Sequence, residues 1–278
     1  MNFDELKFLL KTYNLTPNKI RGQNFLVSEE VLDDILATSH LTEQDLVMEV
    51  GPGLGALTQR LVGEAGRVVA FEVDENFAQP LNKLASVSGN LEIIWQDILS
   101  LSEDAWQEIL KKNKTQNYKI VANIPYYLTG KFIQKFIFFK SKPETMVLML
   151  QREVAERIIV KDKKESLLSL SVNFYAKSEI VSLVPKNNFY PEPQVDSAIV
   201  SIYDIHDWRY QVDEKKTWQL IKRGFAHKRK KLFNNLLTDP NLDRAKLASA
   251  FSEIGLDLNI RAEKLSRENW LKLAKILL

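Results

Sequence analysis

Apolar residues fall into two alternating rhythms through the first two-thirds of the chain. Short, nearly unbroken apolar runs cover residues 46–50, 67–71, 91–95, 119–122 and 146–150, and each reads as a buried strand. Between them, at 56–62, 75–84, 106–112 and 130–139, apolar residues recur with the spacing of a helix that buries one face. Strands alternating with helices in this way build a mostly parallel, doubly wound α/β sheet with helices on both faces. Two later runs, 180–184 and 198–203, flank a proline-containing loop and predict an antiparallel hairpin at the sheet edge. From about His206 the strand signal stops, and residues 218–236, 244–254 and 267–278 carry helical spacing. The expectation is an α/β domain over 1–205 followed by a small α-helical domain over 206–278.

Composition restricts the chemistry more than the fold. Hydrophobic residues make up 45% and charged residues 27% of the 278, ordinary values for a globular protein. The formal net charge is only +2, so a surface for a polyanion must come from local clustering. There is no cysteine, which excludes disulfides, thiolate-bound metals and cysteine nucleophiles. His40, His206 and His227 lie far apart with no metal-ligand spacing, so no metal site is expected. No run approaches the ~18 apolar residues of a membrane helix, and the charged first 15 positions are unlike a signal peptide. A soluble, monomeric, cytoplasmic protein without a membrane partner is expected.

The first strong strand runs straight into Gly51-Pro52-Gly53-Leu54-Gly55. In an open parallel sheet this is where ligands sit, because glycines let the backbone approach closely and the next helix offers free N–H groups. A glycine-rich turn alone is equally a tight turn with no ligand. A dinucleotide fingerprint has the spacing G-x-G-x-x-G, but here the third glycine comes one residue early, which fits a cofactor without a pyrophosphate. Glu72 ends the second strand, where an acid can accept both ribose hydroxyls, and Asp97 follows the third, where it can accept an adenine amine. Either acid alone would read as solvated surface. Together with Gly51, Gly53 and Gly55 they point to S-adenosylmethionine.

The fourth strand ends in Asn123-Ile124-Pro125-Tyr126. The exocyclic amine of adenine is a poor nucleophile, because its lone pair is delocalised into the ring. Two acceptors on its N–H bonds, the Asn123 side-chain oxygen and the Ile124 carbonyl, would draw the nitrogen toward tetrahedral geometry. Pro125 stiffens the turn, and Tyr126 can stack on an extruded base. Standing alone, the motif is equally a stiff loop with a packed tyrosine.

These motifs recur in order with others: GQNFL at 22–26, MEVGPGLGALT at 48–58, FEVD at 71–74, Asp97, NIPYY at 123–127 and LQREVAER at 150–157. FYPEPQVDSA follows at 189–198, and Phe225 with KRKKL at 228–232. The set resembles the ribosomal RNA adenine dimethyltransferase family, most closely its bacterial small-subunit branch, over nearly the whole chain. The resemblance implies a class I, Rossmann-like methyltransferase fold. It implies that Asn24, Leu26, Glu49, Gly51, Glu72, Asp97 and Asn123 bind the cofactor, and that Phe189 joins Tyr126 on the target base. It further implies dimethylation of two adjacent adenosines in the 3′-terminal hairpin loop of small-subunit rRNA, within a pre-30S-type particle. Two departures from the family pattern, Leu167-Leu168 for a Tyr-Gly pair and Lys228 for arginine, bear on RNA docking rather than on the chemistry.

Lys222, Arg223, Lys228, Arg229, Lys230 and Lys231 form a run without an acid. Such runs are usually solvated helix faces, but beside a base-modifying site a phosphate-binding surface is expected. Two rival functions remain open at this point. One is a large-subunit rRNA methyltransferase of the macrolide-resistance type. The other is a ribosome-assembly or transcription factor that uses the fold mainly to bind nucleic acid. RAEKLS at 261–266 with Trp270-Leu271-Lys272-Leu273 favours the small-subunit branch, and intact Glu72, Asp97 and Asn123 favour retained catalysis.

Overall fold

The computed structural model describes residues 1–18 and 22–278. The elements run α1 (Phe3–Thr12), β1 (Phe25–Leu26), α2 (Glu29–Ser39), β2 (Leu46–Val50), α3 (Ala56–Glu64), β3 (Arg67–Glu72), α4 (Ala78–Ser88), β4 (Leu91–Trp95) and α5 (Glu103–Lys112). Then come β5 (Lys119–Asn123), α6 (Thr129–Phe138), β6 (Thr145–Gln151), α7 (Arg152–Ile158), α8 (Leu167–Asn173), β7 (Lys177–Val184), β8 (Phe189–Tyr190) and β9 (Ser197–Tyr203). Four helices close the chain: α9 (Glu214–Gly224), α10 (Leu232–Leu236), α11 (Arg244–Glu253) and α12 (Arg267–Leu277). They form two compact units, residues 1–155 with 177–205, and residues 156–176 with 206–278.

In the first unit a seven-stranded sheet has the order β4-β3-β2-β5-β6-β9-β7. The first five of these strands are parallel, and β9 runs antiparallel to both β6 and β7. Every residue of β2 is buried, as expected of a central strand covered on both faces. One face packs Val47, Val68, Val121 and Val147 against Leu32 and Ile35 of α2 and Leu57 and Leu61 of α3. Elsewhere in the unit Trp106 stacks on Phe71 at 5.7 Å between centroids and meets Phe136 edge-on at 5.0 Å. The late hairpin lies at the sheet edge with β7 outermost, and its ladder slips at Val181 between Ile180 and Ser182. The chain runs outward from β2 through β3 to β4, then returns to β5 on the other side of β2. The carboxyl ends of β2 and β5 therefore flank the point where strand order reverses, the place such sheets bind ligands.

In the second unit, α8 is capped by Ser166, and Arg267 donates to the Asn173 carbonyl at 2.7 Å, tying residues 156–176 to α12. The Trp218 indole donates to the Tyr175 hydroxyl at 2.7 Å, which in turn donates to Glu214 at 2.6 Å. The helix expected over 218–236 is interrupted: α9 ends at Gly224, and α10 starts only at Leu232. Steric room and capping explain the break. A Cβ on Gly224 would lie 2.4 Å from the Trp270 ring, so only glycine lets α9 approach α12 there. The buried Asn235 amide then donates to the carbonyls of Gly224 and His227, at 2.5 and 3.1 Å, in place of helical N–H groups. The cations 228–231 thus sit in a connecting loop, where four adjacent charges need not share a helical turn.

Candidate active site

β2 hands the chain to a turn in which Gly51 and Gly53 have φ of +66° and +57°, values that a side chain disfavours. Close approach adds to this at Gly53, where a Cβ would be tight, while one on Gly51 would only touch its neighbour. A Cβ on Gly53 would lie 3.3 Å from the Phe25 ring, and one on Gly51 would lie 3.7 Å from Pro125. The second contact brings the turn after β2 against the turn after β5, so the two sequence motifs share one place.

Glu72, at the carboxyl end of β3, is buried, and three backbone N–H groups fix its carboxylate. Gly53 donates to Oε2 at 3.1 Å, and Val73 and Asp74 donate to Oε1 at 2.8 and 2.9 Å. Burial pushes its acid constant above the usual carboxylate range, while the three donors pull the other way. The Glu72 carboxylate is therefore aimed before any ligand arrives, with acceptor capacity left on Oε2.

Glu49 lies deeper, 1% exposed, and its Oε2 has no hydrogen-bond partner among the described residues. Burial pushes its carboxyl up to about 8, with the neighbouring Glu72 charge adding to the effect. The folded protein thus holds a proton there that the unfolded chain, near 4.5, has released. Stability of the ligand-free protein should fall as pH rises from about 4.5 to about 8. Glu49→Gln should flatten that fall and melt higher than the parent near pH 8. The gain should be on the order of a few kcal/mol, at about 1.4 kcal/mol per pH unit of displacement. Thermal melts across the window test this; parallel curves for parent and variant would contradict a buried neutral acid.

The opposite wall is the two-stranded pairing of β1 with β8, which sets Leu26 against Phe189. Before it, Gln23 donates to Asp74 at 2.9 Å and accepts from the Asn18 N–H at 2.8 Å, pinning this segment beside Glu72. Asn24 donates to the Gly22 carbonyl at 3.2 Å. On the β5 side, a turn closed by the Leu128 N–H on the Pro125 carbonyl, at 2.9 Å, carries Tyr126. The Tyr126 hydroxyl lies 2.8 Å from Ser197 Oγ, and burial pushes its pKa up. Ring and turn are therefore held from both ends.

One cavity is lined by Asn24, Leu26, Glu49, Gly51, Gly53, Glu72, Asn123, Ile124, Pro125, Tyr126 and Phe189. Two of the expected cofactor residues lie outside this lining. Gly55, at φ +83°, begins α3 and makes room for Leu84, whose Cδ2 would be 3.0 Å from a Cβ. Asp97 caps the short turn after β4 by accepting the Leu99 N–H at 2.8 Å, while Lys135 holds the Leu99 carbonyl at 2.9 Å. Residues not singled out from sequence also line the cavity, among them Gln23, Asp74, Phe77 and Tyr127. Gln23 precedes Asn24 and Asp74 follows Glu72 by two residues, and their mutual hydrogen bond reveals their part.

The six basic residues belong to the second unit. Lys222, Lys228, Arg229, Lys230 and Lys231 are exposed, whereas half-buried Arg223 is ion-paired with Asp239. Lys231 also donates to Asn259 Oδ1 at 2.5 Å. Among the described residues no group of three or more His, Asp or Glu side chains is arranged to hold a metal, and no helix is long and apolar enough to cross a membrane.

The residues present fit S-adenosylmethionine. Bare glycines allow close backbone approach, Glu72 offers an aimed acceptor to a ribose, and Glu49 presents an unpartnered carboxyl oxygen. Strand order and site together define a class I S-adenosylmethionine-dependent methyltransferase. Residues 14–278 match the family described as ribosomal RNA adenine dimethylase, and the chain belongs to that family of enzymes. A protein of Dehalococcoides mccartyi, described as ribosomal RNA small subunit methyltransferase A, is 41% identical over 97% of this chain and 91% of its own length. A dimethyladenosine transferase from Plasmodium falciparum is 25% identical, with a TM-score of 0.71 over 90% of this chain and 95% of its own. The 23S rRNA methyltransferase ErmE, 23% identical, has a TM-score of 0.71 over 91% of this chain and 99% of its own, a likeness of fold.

Proposed function

We propose that this enzyme dimethylates the N6 amines of two adjacent adenosines in the 3′-terminal hairpin loop of small-subunit rRNA. It would act as a cytoplasmic monomer on a maturing small-subunit particle. One observation carries the chemistry: the turns after β2 and β5 meet at Gly51 and Pro125, so Asn123, Tyr126 and Phe189 line the same cavity as Glu49 and Glu72. The choice of small-subunit RNA is supported by the 41% identity to the small-subunit methyltransferase of Dehalococcoides mccartyi.

Bound S-adenosylmethionine supplies an electrophilic methyl on a sulfonium sulfur. Glu72 takes the ribose, and the glycine-rich turn lets the rest of the cofactor lie against backbone. Asn123 and the Ile124 carbonyl accept the two N–H bonds of the adenine amine and aim its lone pair, while Tyr126 and Phe189 hold the ring. With the lone pair so aimed, the amine would accept the methyl group that the cofactor supplies, and its surplus proton would pass to solvent. After the first transfer one N–H remains, so the second methylation depends more on the two rings than on the paired acceptors.

The test offers labelled cofactor to immature small subunits, mature small subunits, large subunits and naked RNA in parallel, then maps the modified base. Label on two adjacent adenosines near the 3′ end of the immature small-subunit RNA is expected. Label on large subunits, or on no RNA, would overturn the reading.

A further inference from the structure

The family match begins at residue 14, after α1 has ended. Yet α1 is a well-made helix. Asn2 accepts the N–H groups of Asp4 and Glu5, both at 3.0 Å, and Glu5 accepts the Asn2 N–H at 2.9 Å. Its buried residues are Leu6 and Leu10, one helical turn apart. They enter a small apolar cluster with Leu54 of the glycine-rich turn and with Phe77 and Leu81 beyond β3. Phe25 of β1 and Tyr190 of β8 pack against the same cluster, and the Phe3 ring meets Tyr190 edge-on at 5.3 Å. Met1 itself lines the cavity. Three walls of the candidate cofactor site therefore touch this one helix through apolar side chains.

We propose that α1 is part of the cofactor site, holding the glycine-rich turn, the segment after β3 and the β1–β8 wall in register around the bound cofactor. Leu6 and Leu10 are its positioning residues, and the cofactor is held less tightly when α1 lifts. The proposal rests on the reading that the cavity takes S-adenosylmethionine. A ten-residue helix is not stable alone in water, and two buried leucines give it a small docking surface, so its opening costs less than unfolding the sheet. A ligand that binds only the docked form loses apparent affinity in proportion to the docked fraction.

The test uses the full chain carrying Leu6→Ala with Leu10→Ala, and Phe8→Ala as a control, since Phe8 is 68% exposed on the same helix. S-adenosylmethionine affinity is read by calorimetry, its release by stopped-flow competition, and α1 opening by hydrogen exchange. Saturating cofactor should slow exchange of the α1 amides in the parent. If the docked fraction falls to about a tenth, the double variant should bind roughly tenfold more weakly and release faster. Exchange in β2, β3 and β5 should stay at parental rates, which a general loss of stability would not allow. The Phe8 variant should match the parent, and Leu6→Met with Leu10→Met should recover binding. Unchanged affinity and release in a double variant whose α1 amides exchange freely would overturn the proposal. A parent chain that bound no cofactor would instead remove the reading of the cavity, and this proposal with it.

Discussion

Asn123→Ala is expected to lower the single-turnover rate of methyl transfer by roughly 10²–10³-fold, the loss typical of removing one preorganised hydrogen-bonding group from a reacting centre. RNA affinity should stay near the parent's, because the lost acceptor matters most as the amine rehybridises and an N–H becomes more acidic. Tyr126 separates two roles. Tyr126→Ala should lose base stacking, on the order of 1–3 kcal/mol. Tyr126→Phe should keep the stack and lose only the hydroxyl bridge to Ser197. A Phe189→Ala variant should accumulate monomethyl product, since the second transfer leans on the rings. Near-parental single-turnover rates in both Asn123→Ala and Tyr126→Ala would refute this assignment of roles.

The sheet was legible because its strands are buried on both faces, so Leu46-Val47-Met48-Glu49-Val50 and its parallel partners read as apolar runs without help from context. The site was legible where backbone geometry demands a residue type, as at Gly51 and Gly53. It was less so where a long-range partner decides. Asp97 looks in sequence like Glu72, an acid at a strand end. The structure adds how each is held: the Asp97 carboxylate accepts the local Leu99 N–H, and the Glu72 carboxylate accepts the distant Gly53 N–H. Periodicity carried the 218–236 helix through Gly224 because the apolar spacing continues on both sides. The Trp270 ring that forbids a side chain there comes from 46 residues later and leaves no local signal. For the same reason nothing in residues 156–176 announces that they pack with the C-terminal helices. The apolar residues of α1 were visible, but their role depends on Phe77 and Tyr190, far away in the chain.

Replacing Lys228, Arg229, Lys230 and Lys231 together with glutamine should weaken ribosomal binding and flatten its salt dependence. Cations that neutralise phosphates release condensed counterions, and each lost contact lowers the log–log slope by roughly 0.7 to 0.9. If all four engage phosphate, the slope should fall by roughly 3. The loop is well placed for such contacts, since Lys228, Arg229 and Lys230 are exposed and Asn235 fastens the backbone at Gly224 and His227. Little rearrangement of the chain is then needed when RNA arrives. Lys231 also donates to a neutral Asn259 oxygen, which leaves its charge uncompensated. Arg223 differs, because Asp239 already answers its charge. Arg223→Gln should therefore move the melting temperature more than the slope. Cofactor affinity should not change in the quadruple variant, whose substitutions lie in the second compact unit while the cavity lies in the first. A stability control is needed, since lysine stems also cover apolar surface. A folded quadruple variant that bound small subunits with the parent's affinity and slope would make this loop a solvated surface, and the RNA would have to be sought elsewhere on the protein.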